Sequence, residues 1–206
     1  FNLQIRGLPP NTFLSFPIFF LLSRAAALAL ALLAAPDAHA QTNYWWDSND
    51  STAGFGTAQG TWAAPTTNNA TQGWTTDNTG STTMSGSTTI GNDNINFGTS
   101  TNQLGTGTIT VSGNVSARLI NFTASSSNIT LSGGNLTLGG TTPTITVNSA
   151  NATITSFRQT AGLTKNGTGL LAVSMTSAGG FSGQTTVNGG TLRVTNTLGQ
   201  SGTTNI

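Results

Sequence analysis

The stretch 162–194, GLTKNGTGLLAVSMTSAGGFSGQTTVNGGTLRV, holds two strand-like units joined by glycine-rich turns, and parts of it echo earlier segments. Val187, Gly189, Gly190, Leu192 and Val194 fall in the frame apolar-x-Gly-Gly-x-Leu-x-apolar, and Leu131, Gly133, Gly134, Leu136 and Leu138 occupy the same frame. A looser copy at 147–154 keeps Val147, Ala152 and Ile154 in the apolar positions, with Ser149 and Ala150 in place of the glycines. The three copies thus start at Leu131, Val147 and Val187. Units of about 16 to 21 residues produce that spacing if one unit, around Leu171 and Val173, lacks the Gly pair. Self-similarity at so short a period marks a solenoid, in which no unit buries its own apolar face and each must stack on its neighbours.

Apolar residues two apart, such as Leu136 and Leu138 or Leu192 and Val194, face one side of a strand, while Thr137 and Arg193 face the other. The Gly pairs supply backbone angles that a Cβ forbids, so the chain turns a sharp corner into the next strand. Short strands with corners and no helical signal cannot build βαβ crossovers, so parallel stacking must come from coiling the chain itself. The expected fold is therefore all-β: a parallel β-helix of short strands. The alternation continues at Ile109/Val111, Ile129/Leu131 and Ile145/Val147, which argues against disorder despite a Thr/Ser/Asn-rich chain that is only 5% charged. At about 20 residues a rung, 107–206 gives roughly five rungs and about 24 Å of stalk. Lys165 and Arg193 read as isolated, exposed charges.

The same stretch resembles the autotransporter-associated β-strand repeat of bacterial passenger domains. The residues that carry the likeness are Leu163, Thr164, Lys165, Gly167, Gly169, Leu171, Val173, Phe181, Gly183, Thr185, Val187, Asn188, Gly189, Gly190, Thr191 and Leu192, with Val194 closing the strand. It is strict over 162–194 and looser over 107–161. The resemblance implies a β-helical passenger on the surface or outer membrane of a Gram-negative-type bacterium, or secreted by it, whose repeats assist its own export. The outer-membrane translocation machinery is the partner it implies. The motif is specific for a repeat type and weak about what the protein acts upon.

At the N-terminus, Arg24 precedes the apolar run Ala25–Ala35, Pro36 breaks it, and Ala38-His39-Ala40 follows as an A-x-A cleavage site, so 1–40 reads as a signal peptide. A membrane anchor over 18–35 is the competing reading, but Arg24 interrupts it and its length is marginal. Contact with a membrane is thus expected only through this leader or through a C-terminal anchor beyond the sequence. The chain opens on Phe1 and closes within strand-rich sequence, so a piece of a longer protein is expected.

Residues 41–106 form a lead-in that contains every Trp and the only Tyr: Tyr44, Trp45, Trp46, Trp62 and Trp74. Flat aromatic faces can stack on sugar rings, which makes these five the candidate glycan contacts. The alternative is an N-terminal cap whose aromatics cover the first rung, and the cap is preferred because an open solenoid end invites aggregation. The resemblance points the same way, since Tyr44, Trp46 and Asp47, then Gly60-Thr61-Trp62 and Trp74, look like the usual lead-in to such repeats.

From 41 onward four acids (Asp47, Asp50, Asp77, Asp93) balance four bases (Arg118, Arg158, Lys165, Arg193), so no basic stripe exists to neutralise nucleic-acid phosphates. There is no cysteine, and stability must come from the stacked core rather than disulfides. No Asp or Glu occurs from Asn94 to Ile206, and the sole histidine is His39 in the leader. The array from Asn94 onward therefore cannot supply a carboxylate pair, and the part after the leader has no His or Cys for Ser-His-Asp, Cys-His or zinc-site chemistry, so no enzyme activity and no cofactor are expected. Asp47, Asn49 and Asp50 have calcium-compatible oxygens at close spacing but lack the rest of an EF-hand loop, and they read as a solvated turn, as do Asn92, Asp93 and Asn94. The expected function is a non-catalytic, exported β-helical stalk with an adhesive role, no oligomer being implied. The alternative is the glycan-binding N-terminal part of a larger polysaccharide-active enzyme, with host or environmental glycans as partners.

Overall fold

The period-2 segments are strands, and they stack in parallel as a solenoid. The computed structural model describes residues 40–63, 73–82, 89–123, 127–148, 151–158, 162–176, 183–196 and 201–202; among these there is no helix, and sixteen short strands are numbered here in chain order. One sheet stacks β1 (Asn43–Trp46), β4 (Asn94–Phe97), β7 (Leu119–Phe122), β10 (Thr144–Val147), β12 (Leu163–Asn166) and β14 (Thr185–Val187) in parallel, with β3 (Trp74–Thr75) antiparallel on the outer edge of β1. A second sheet stacks β2 (Thr61–Ala63), β5 (Gly107–Ser112), β8 (Asn128–Ser132), β11 (Asn151–Phe157), β13 (Leu170–Met175) and β15 (Thr191–Asn196), closed by antiparallel β16 (Ser201–Gly202). A third, narrower face is made by β6 (Asn114–Ala117), β9 (Asn135–Leu138) and the tail of β11, where Phe157 stands beside both Leu136 and Met175. Five strands, β5 to β15, stack on the second sheet; four steps at about 4.8 Å span about 19 Å, a little less than the length reckoned from rung number alone.

Register fixes the repeat. Ile109, Leu131, Ile154, Val173 and Val194 form one file on the second sheet, one residue from each turn. Ile95, Ile120, Ile145, Lys165 and Val187 form the matching file on the first sheet. The short step from the Leu131 copy to the Val147 copy of the sequence frame therefore compares unlike corners. Gly133-Gly134 lies between the second sheet and the third face, whereas the Val147 and Val187 copies both lead from the first sheet to the second. Both kinds of corner use the left-handed backbone: φ is +89° and +47° at Gly133 and Gly134, and +65° at Gly190.

The inward residues make one continuous core that runs from Trp46 to Leu192 and includes Ile95, Phe97, Ile120, Phe122, Leu163, Leu171 and Val173, with Val187 and Val194 packed partly buried at its C-terminal end. Aligned files of branched side chains bury both faces of every neighbour, at about 25 cal/mol per Å² of apolar surface removed from water. Neutral side chains, some exposed and some buried, form ladders beside this apolar core. Asn94 donates to Asn43 (2.7 Å), Asn121 to Asn96 (2.8 Å), Asn135 to Asn114 (2.9 Å), Asn151 to Asn128 (2.7 Å) and Asn188 to Asn166 (2.8 Å), in each case from the later turn to the earlier. Ser174 and Thr195 add a hydroxyl rung at 3.0 Å. Such ladders join turn to turn without charge, which explains how so few ionic groups suffice.

One expectation is corrected. Lys165 is not exposed: it is fully buried, in the first-sheet file between Ile145 and Val187. The cause is register, since Leu163 and Lys165 are two apart on β12 and both must face inward. The ammonium is met by backbone, with Nζ donating to the carbonyls of Gly167 (2.6 Å) and of Gly189 (2.9 Å) on the next turn. Arg193 is exposed as expected. Of the other repeat positions, Gly169 is buried, Gly167 and Thr185 are half-buried and Gly183 is exposed; Phe181 and residues 1–39 of the leader lie outside the described residues.

Candidate functional site

The aromatic residues converge at the N-terminal end of the solenoid. Trp46 on β1, Trp62 on β2 and Trp74 on β3 are brought together because β3 folds back antiparallel on β1, pairing Trp46 with Trp74. Trp74 is the hub: Trp46 meets it edge-on at 4.8 Å and 88°, and Trp62 at 5.3 Å and 82°. Phe97 lies 6.3 Å from Trp74 and stacks on Phe122 of the next turn at 4.9 Å and 16°, which carries the aromatic column into the core. Edge-to-face pairs of this kind add about 0.5–1.5 kcal/mol each beyond their area. The indole N–H of Trp46 donates to the Gln59 carbonyl at 3.0 Å, and that of Trp62 to the Thr89 hydroxyl at 2.9 Å.

Trp46, Trp62 and Trp74 are at most 1% exposed, so their faces pack on protein and not on a sugar. This corrects three of the five candidate glycan contacts; Tyr44 and Trp45 are half-buried against the core and keep some surface. The reason the sequence suggested a platform is that alternation within so short a strand as β1 does not say which face β3 will cover.

Beside this cluster sits an oxygen-rich loop. After β1, Asp47 N–H donates to the Gly73 carbonyl at 2.8 Å, anchoring the loop to the segment that leads into β3. Asp47 Oδ1 accepts the Asn49 amide at 3.0 Å, an Asx turn, and Ser48 closes the loop by donating from its hydroxyl to the Thr57 carbonyl at 2.7 Å. The Gly54 amide donates to the Thr79 carbonyl at 3.1 Å, so the loop is also tied to the turn that follows β3. Asp47 is fully buried, and both Asp47 Oδ2 and Asn49 Oδ1 are buried with no hydrogen-bond partner among the described residues. Burial pushes the Asp47 carboxyl above its ordinary value, the Asn49 amide pulls it back, and the charges of Asp50 and Asp77 push it further up. The solvated-turn reading of Asp47 is therefore corrected; packing against Gly73, out of sight in the local sequence, is the cause.

Asp77 behaves in the opposite way. It is half-buried and accepts from the amide (2.8 Å) and hydroxyl (2.7 Å) of Thr79 and the amide of Ser81 (3.0 Å), which hold its carboxyl down at about 2. The solvated-turn reading of Asp93 and Asn94 is corrected as well. Asp93 is buried, and its two oxygens accept the Thr42 amide (3.2 Å) and the Ile90 amide (2.8 Å), pinning the lead-in to the turn before β4. Asn94, also buried, accepts from the Arg118 side chain at 3.0 Å, while Asn92 is exposed as expected.

Among the described residues no three acidic, histidine or cysteine side chains converge. A shallow outer groove lined by Thr141, Thr142, Pro143, Thr164, Gln184 and Thr186 offers hydroxyl and amide groups but no acid or base. Comparison with protein-family models, with curated proteins and with solved structures gave no significant match.

Proposed function

We propose that this chain is a non-catalytic, exported β-helical stalk of the autotransporter-passenger kind, which acts as a spacer at the bacterial surface and assists its own export. The observation that carries the reading is the unbroken parallel stacking of turn on turn, each new strand completing the hydrogen bonds of the one before. In such a solenoid each turn contacts only its neighbours, so folding is local and sequential. Turns that have folded outside a membrane template the next and bias the threading chain outward. The neutral ladders and the absence of any acid from Asn94 to Ile206 fit a chemically inert shaft. The aromatic column supports a cap, because it closes the end where the first turn lacks a predecessor. Deleting 162–194 is expected to lower surface display severalfold, measured by antibody labelling of intact cells. Undiminished display would remove the export role.

A further inference from the structure

We propose that Asp47 and Asn49 supply the side-chain ligands of a calcium site in the loop after β1. Two oxygen acceptors, Asp47 Oδ2 and Asn49 Oδ1, are buried there with nothing donating to them among the described residues, although buried polar atoms in folded proteins are overwhelmingly partnered. Both are acceptors, so neither can satisfy the other. Leaving a buried carboxylate oxygen bare is costly, and something positive or proton-bearing must face it. The neighbouring chain supplies no counter-ion, since no Lys or Arg occurs anywhere from 41 to 106, and Asp50 and Asp77 add negative potential at Asp47, so a positive charge must come from solution.

The donor set is all oxygen, which selects a hard cation, and the loop is built to hold it still. Ser48 locks its base through Thr57, the Asp47 amide ties it to Gly73, and Gly54 ties its far side to Thr79. Asp77 is not a ligand, because its oxygens already accept from Thr79 and Ser81; its part is electrostatic. No three acidic, histidine or cysteine side chains converge among the described residues, so the site offers one carboxylate and one amide oxygen and leaves the remaining positions to backbone carbonyls and water. Calcium tolerates such a flexible, partly hydrated shell, whereas magnesium demands a stricter octahedron. So few charged ligands place the dissociation constant in the weak range of extracellular modules, about 10⁻⁴–10⁻³ M. The two bare oxygens carry this site independently of the stalk reading.

The test uses terbium as a luminescent calcium substitute on the full chain. Trp46 precedes Asp47 in sequence, so excitation of the indoles should sensitise terbium emission, calcium should displace it, and magnesium should do so poorly. Asp47→Asn and Asn49→Ala should each weaken calcium binding at least tenfold while the sheet circular dichroism stays that of the wild type. Asn49→Ala removes a single side-chain oxygen and serves if Asp47→Asn does not fold. Calcium should also raise the melting temperature of the wild type and not of the variants. Absence of sensitised emission, or emission equal in wild type and both variants, overturns the proposal. So does a carboxyl NMR titration in millimolar calcium that shows Asp47 protonated at neutral pH, since a proton and not a cation would then face the bare oxygen.

Discussion

Replacing Lys165 tests the packing most sharply, because an ammonium sits where the neighbouring turns place Ile145 and Val187. In Lys165→Met the aliphatic stem is kept. Two charge-assisted hydrogen bonds, to Gly167 and Gly189, are lost, at about 1.5–3 kcal/mol each. Against that, the desolvation of a buried ammonium, several kcal/mol, is relieved. The terms oppose, and the variant should lie within about 2 kcal/mol of wild type. Lys165→Ala loses the bonds and opens a cavity as well, an added loss of about 2–5 kcal/mol. Lys165→Glu sets a carboxylate against two carbonyl acceptors and should be the least stable of the three. The dependence on pH follows from the sign of the shift. Burial lowers the Lys165 pKa below its ordinary 10.5, so between the folded value and 10.5 the unfolded chain binds more protons than the folded one. Wild-type stability should therefore rise with pH across that window, and Lys165→Met should remove that rise. Urea denaturation followed by far-UV circular dichroism, at about pH 7 and about pH 10, measures both effects. A Lys165→Glu chain as stable as wild type, or a Lys165→Met chain with the same pH slope, refutes the burial.

Gly190→Ala places a Cβ 2.4 Å from the Gly169 carbonyl at a φ of +65°, so a loss of about 2 kcal/mol or more is expected in the same denaturation assay. Trp74→Ala removes the hub of the aromatic column and should lose about 3–5 kcal/mol together with most of the near-UV dichroism. Asp77 has a folded pKa of about 2 against an ordinary 3.8, so its contribution is present above about pH 4 and fades as the pH falls through 2; its carboxyl carbon should titrate by NMR near that value.

Particular residues show why some of this was legible in the sequence. Strands and sharp corners are local: alternation at Ile109/Val111 or Ile145/Val147 and the paired glycines at 133–134 need no knowledge of distant partners. The turn length was harder, because the corner between the first two sheets shrinks along the chain. All of 98–106 separates β4 from β5, whereas only 188–190 separates β14 from β15, so no constant frame survives. Lys165 shows a conflict between two local signals. Alternation with Leu163 puts it inside and charge puts it outside; alternation wins because the Gly189 carbonyl, on the next turn, arrives to receive the ammonium. Asp47 and the tryptophans fail for the same reason, since the segment that buries them, Gly73 to Thr75, comes from beyond a sequence gap that no local pattern spans.

The stacking of successive turns can be measured in a chain that has no cysteine of its own. Thr130 and Thr153 are register partners on adjacent turns, and Ala172 is the partner one turn further on. Adjacent positions lie about 4.8 Å apart, within the reach of a disulfide, and positions two turns apart lie at about twice that, beyond it. The double variant Thr130→Cys/Thr153→Cys should therefore oxidise to an intramolecular disulfide, while Thr130→Cys/Ala172→Cys keeps both thiols free. Free thiols in the first pair, or equal bridging in the second, would contradict the solenoid.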